Sequence, residues 1–207
     1  MNTTEVTFNG EIKSFSDLYK MAMDQFVMYE KLEGIEDWDA YDFSIDCSED
    51  QMKFKDMLQI RFIEELTEAS VSMNEPEEHF WEEVGDALNF FLSAYCMLGV
   101  DFNKFKSPGD YLSSNEGGIK KVPDYDLFST RAYMVIEKVG YLCNLLKNRP
   151  WAQSNYLVSI TDFDERLDSL WREFWLFMKE MKLTSEDIFE MFYKKYKVNE
   201  HRIRTGY

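Results

Sequence analysis

A chain of 207 residues that is 45% apolar has enough material for one large folded core. It carries 39 Asp and Glu against 23 Lys and Arg, a formal charge of −16, which excludes the basic footprint that a duplex nucleic-acid binder needs. Three cysteines, Cys47, Cys96 and Cys143, are an odd number with two of them in apolar helical runs, the pattern of reduced thiols in a cytoplasm, and no signal peptide or membrane span is expected.

With 4 Pro, 9 Gly and a 3.6-residue apolar period recurring along the chain, the prediction is an all-α protein, a helical bundle in one domain spanning 1–207. Residues 3–8 read as a short strand or an arm. A first helix is expected over 15–32, with Phe15, Leu18, Ala22, Phe26 and Tyr29 on one face, and Trp38 lies shortly after it. Residues 52–73 and 76–98 form a predicted helical hairpin, Asn74 capping its second arm and Gly99 ending it. The segment 107–126 contains Pro108, Gly109, Gly117, Gly118 and Pro123 and reads as a mobile connection. Helices resume over 127–147 and 162–181, and a last one begins at Ser185. Trp171, Phe174, Trp175 and Phe177 recur around much of the wheel of 162–181, which fits either a homodimer interface or a larger single core.

The most informative residues sit on the hairpin. Glu65-Leu66-Thr67-Glu68 and Glu83-Val84-Gly85-Asp86 are i, i+3 acidic pairs, so each projects two carboxylates from one side of its helix. Acidic pairs are common in so acidic a chain and are usually solvated. On the wheel, however, Glu65 falls inside the apolar arc of Leu58, Phe62 and Ala69 with Glu68 at its edge, while Glu83 and Asp86 share a stripe with Phe90, Ala94 and Met97. Only Arg61 offers a cation within a turn of either stripe. Carboxylates turned inward without a basic partner are costly unless they bind metal, and four oxygen ligands between two helices suit Mg2+.

At the other end, Lys194, Lys195, Lys197, Arg202 and Arg204 crowd into the last fourteen residues. Lys195, Asn199 and Arg202 share a helical edge that could hold a polyphosphate, or could simply complement the helix dipole. The combination of Glu-x-x-Glu, Glu-x-x-Asp and a terminal Lys-x-x-x-Asn-x-x-Arg-x-x-x-Gly-Tyr (Lys195, Asn199, Arg202, Gly206, Tyr207) resembles the all-α dimeric dUTPases and the related phage dCTPase/dUTPases, within the broader MazG-like nucleotide pyrophosphatases.

The resemblance implies that Glu65, Glu68, Glu83 and Asp86 bind Mg2+, with Glu65 also activating the attacking water. It implies that Lys195, Asn199, Arg202 and Tyr207 contact phosphates or sugar as a tail over 194–207 closes on the nucleotide. It places Gln25 near the base, where the residue could equally be a helix-edge amide bonded to a neighbouring backbone group. Trp38 could stack on the base or belong to the core. The family's Lys-Asn is Lys195-Tyr196 here, its Arg-Gln is Arg202-Ile203, the His after Glu-x-x-Asp is Asn89, and the polar residue one turn after Gln25 is Tyr29. These departures fall among nucleoside-recognition groups and leave the identity of the base open. The implied protein is a cytoplasmic homodimer, in the host cell if phage-encoded, that hydrolyses dUTP and/or dCTP to the monophosphate and pyrophosphate. Another or a modified dNTP is the alternative substrate within the same chemistry, and a non-catalytic acidic partner or decoy, which would spread its acid over exposed faces, is the competing reading.

Overall fold

The computed structural model describes residues 8, 10–32, 34, 43–112, 121–146 and 158–205. Among them are seven α-helices and no strand: α1 (Phe15–Leu32), α2 (Ser48–Lys55), α3 (Ile63–Ser72), α4 (Glu77–Met97), α5 (Tyr125–Leu145), α6 (Ile160–Glu180) and α7 (Ser185–Thr205). The all-α prediction therefore holds. No described helix is long and apolar enough to cross a membrane. Residues 3–7, Trp38, Gly206 and Tyr207 lie outside the described residues.

The first arm of the hairpin differs from its prediction. It begins earlier, at Ser48, and a π-helical segment, Asp56–Phe62, joins α2 to α3. The early start is fixed by polar side chains: Asp50 accepts from the Ser44 amide (2.9 Å) and the Gln51 amide group donates to the Ile45 carbonyl (2.7 Å). These residues carry no apolar period, so the wheel does not reveal them. The π segment is equally hidden, because Leu58 and Phe62, both fully buried, are four residues apart as they would be in an α-helix.

Asn74 is not the cap of α4. The helix starts after Pro76, whose extended ψ of 137° rules out a first turn beginning at Asn74. The other end is as expected: Gly99 takes φ +60° and donates to the Cys96 carbonyl, closing the helix with a left-handed residue. Helices α5 and α6 each begin two residues before their predicted starts, where Asp124 caps Asp126 and Leu127 and Ser159 caps Asp162. A reciprocal box fixes the start of α7, with Thr184 Oγ1 accepting from the Asp187 amide and Asp187 accepting from the Thr184 amide. Of the expected connection, 113–120 lie outside the described residues, and at its start Pro108 and Leu112 are buried.

Helix α4 is the spine of the bundle. Between Ala87 and Met97 every residue but Phe90 is buried, and α1, α3, α7 and the π segment all pack on this helix. Its contact with α6 runs through rings: Phe91 stacks on Phe174 at 3.9 Å between centroids, and Tyr95 donates to the Leu167 carbonyl. Trp171, Phe174, Trp175 and Phe177 are all buried inside this one chain. The homodimer hint drawn from them is thereby withdrawn, since their excess apolar surface is taken up by the rings of α4 and of the turn around Phe102 and Phe105.

Candidate functional site

One stripe of α4 carries Glu83, Asp86 and Asn89, each three residues after the last, and each meets a side chain from a different helix. Glu83 shares a hydrogen bond with Glu65 of α3, Asp86 accepts from Lys195 of α7, and Asn89 accepts from Gln25 of α1. At a rise of about 1.5 Å per residue, these three meetings span about 9 Å of helix.

At the first meeting, Glu65, Glu83 and Asp86 bring one carboxylate oxygen each within 4.8 Å of one another. Burial, the Asp86 charge and the bond to Glu83 push the Glu65 carboxyl from 4.5 up to about 8. Glu83 is also raised, chiefly by burial, against the lowering effect of its hydrogen bond to Glu65. The two carboxyls thus share a proton at neutral pH. The structure does not bring Glu68 into this group: it is exposed, one turn away, and acts on Glu65 and Glu83 through its charge.

Two oxygens held by one Mg2+ at about 2.1 Å lie at most about 4.2 Å apart, so a small side-chain movement makes the trio a ligand set. Hard oxygen donors from two packed helices, too crowded to ionise together without a cation, fit that ion.

Along the sequence, Arg61 is the only lysine or arginine within a turn of either carboxylate stripe. In the fold Arg61 turns away to Asp56 (3.7 Å), and the cation arrives from α7 as Lys195. His79, absent from the candidates, stands one turn before Glu83 with Nδ1 3.2 Å from its Oε1 and Nε2 3.4 Å from Glu75. Its i, i+4 spacing to Glu83 was the available signal.

The remaining α7 groups divide cleanly. Lys194 is paired with Glu190, while Lys197 and Arg204 are both on Glu200, so three of the five cations are engaged along their own helix. Asn199 is buried, and Arg202 is exposed with no ion pair among the described residues. Tyr29 of α1 lies between the two halves of the site: its hydroxyl is raised by burial and by Asp86 and lowered by Arg202. Gln25 is buried on α1, and its partner is the Asn89 side chain rather than a neighbouring backbone group.

Two helices of an all-α bundle thus bring carboxylates together, and a third faces them with a lysine. A family model described as dUTPase matches residues 69–207, and the chain belongs to that family. The matched span includes Glu83, Asp86, Asn89, Lys195, Asn199 and Arg202 and begins just after Glu68. Comparison with curated proteins and with solved structures yields no match.

Proposed function

We propose that this dUTPase-family hydrolase cleaves a pyrimidine deoxynucleoside triphosphate, dUTP and/or dCTP, between the α and β phosphates, releasing the monophosphate and pyrophosphate with Mg2+ as cofactor. The observation that carries the reading is the convergence of Glu65, Glu83 and Asp86 with Lys195 facing them. Held by these three carboxylates, with Glu68 on the adjoining turn, the ion would supply Lewis-acid polarisation of the phosphoryl oxygens.

With the cation bound, Glu65 is ionised and accepts the proton of the attacking water. Lys195 and Arg202 neutralise charge on the departing pyrophosphate, and Asn199 steadies the phosphate or sugar. Gln25, Asn89 and Tyr29 meet the base. Trp38 as a stacking residue and Tyr207 as part of a closing tail over 194–207 complete the reading on the strength of the resemblance alone, as does the homodimer.

The acidic-decoy reading is disfavoured by Glu65 and Glu83, which bond each other instead of facing solvent, and by family membership. The test is pyrophosphate release from dUTP, dCTP, dTTP, dATP, dGTP, UTP and CTP, with Mg2+ and with EDTA. Mg2+-dependent release from dUTP or dCTP is expected, and no release from any nucleotide would overturn the proposal.

A further inference from the structure

Gln25 and Asn89 are 1% and 5% exposed, and Gln25 donates from Nε2 to Asn89 Oδ1 across the α1–α4 contact. That bond occupies the donor end of the Gln25 amide. Its carbonyl oxygen, Oε1, is buried and has no hydrogen-bond partner among the described residues. Buried polar atoms are nearly always paired, so an orphaned one, a single turn of α4 from the carboxylate cluster, is a place for a ligand group.

The pair has a second property. Each amide has a donor end and an acceptor end of nearly equal size. Turning both over reverses the bond: Asn89 Nδ2 then donates to Gln25 Oε1, the heavy atoms keep their places, and Gln25 offers Nε2 in place of its carbonyl. Neither arrangement leaves the contact between the two side chains unpaired.

We propose that Asn89 is a specificity-determining residue that lets Gln25 present either a carbonyl or an amino group, so that one site accepts both uracil and cytosine. The two bases differ by an exchange of donor and acceptor along one edge. Uracil has an N3–H donor beside an O4 acceptor; cytosine has an N3 acceptor beside an N4–H2 donor. A site group fixed as acceptor or as donor satisfies one base and leaves itself and the other base unpaired, which is how polar sites reject close analogues. A reversible amide pair removes that penalty for both. The inference deepens the pyrimidine nucleotide reading and rests on it.

The test compares kcat/KM for dUTP and dCTP in the wild-type protein, in Asn89→Asp and in Gln25→Glu. An ionised Asp only accepts, so it ties down the amino end of Gln25 and leaves the carbonyl towards substrate. Gln25→Glu offers acceptors alone and reaches the same state from the other side. The expected result is wild-type hydrolysis of both nucleotides, with the dUTP/dCTP ratio moved at least about tenfold in the same direction by both variants. The shift runs towards dUTP if Gln25 meets ring position 3 and towards dCTP if it meets position 4. Each ratio is read within one preparation, so a loss of folded protein cancels. An unchanged ratio, or a wild-type protein that takes only one of the bases, overturns the inference while leaving the pyrophosphatase reading intact. No hydrolysis of either nucleotide by the wild type overturns both.

Discussion

Lys195 of α7 is hydrogen-bonded to Asp86 of α4, which joins a proposed phosphate-binding cation directly to a proposed magnesium ligand. The ammonium group and a divalent ion compete for the same carboxylate. Lys195→Met keeps the length of the apolar stem and removes the charge. In the absence of nucleotide, the variant should show half-maximal thermal stabilisation by Mg2+ at a severalfold lower concentration, while kcat/KM for the nucleotide falls about 10²-fold. Weaker Mg2+ binding by the variant would show that the lysine supports the ion instead of competing with it.

Glu83 stands between Glu65 and His79, so its loss removes one proposed ligand and frees two partners. Glu83→Gln is nearly isosteric and should retain the helical circular dichroism signal while lowering turnover at least about 10²-fold. Full activity in this variant would sink the magnesium-site assignment.

The raised carboxyl of Glu65 has a definite effect on stability. The folded chain holds that proton up to a pH of about 8, whereas an unfolded chain releases it near 4.5. The folded state is therefore favoured by this group fully below 4.5, and the advantage drains away as the pH climbs towards 8. In EDTA the melting temperature should fall across that window, Glu65→Gln should flatten the decline, and stabilisation by Mg2+ should grow with pH. A Glu65→Gln profile parallel to the wild type would exclude Glu65 as the source.

Lys182 follows α6 with φ +61°, a left-handed conformation that L side chains resist, while Leu183 donates back to the Met178 carbonyl (3.2 Å). The lysine is exposed. Lys182→Gly should relieve the strain and stabilise the fold by about 0.5–1 kcal/mol, read as a rise in the urea midpoint at constant slope.

The helices, and the meeting of Glu65 with Glu83 and Asp86, were legible because both rest on local periodicity, whereas Glu68, expected with them, is exposed and outside the group. Phe62 at the end of the π segment and Leu66 and Ala69 of α3 are buried, and Glu65, expected inside their arc, is half-buried. What escaped was longer in range or polar in origin. Lys195 is 109 residues from Asp86 along the chain, and no wheel of one helix can bring them together. Gln25 lies 64 residues from Asn89; the sequence marked both, yet gave no means of pairing them. The aromatic wealth of α6 showed that much apolar surface needed covering, and only the fold shows Phe91, Phe102 and Phe105 covering it.

Because Glu83, Asp86 and Asn89 stand on one helix while their partners stand on three, α4 works as a ruler with three independent readers. Distances between the readings are set by backbone rise and stay fixed while the partners change. A redesign of α1 can alter what is met at Asn89 without retuning Glu65, and a change on α3 leaves the Gln25–Asn89 end untouched. A single-residue insertion in α4 between Asp86 and Asn89 behaves otherwise: it rotates Asn89 and every later position by about 100° while Glu83 and Asp86 keep their register, so the Asn89 meeting alone falls out of step with the other two.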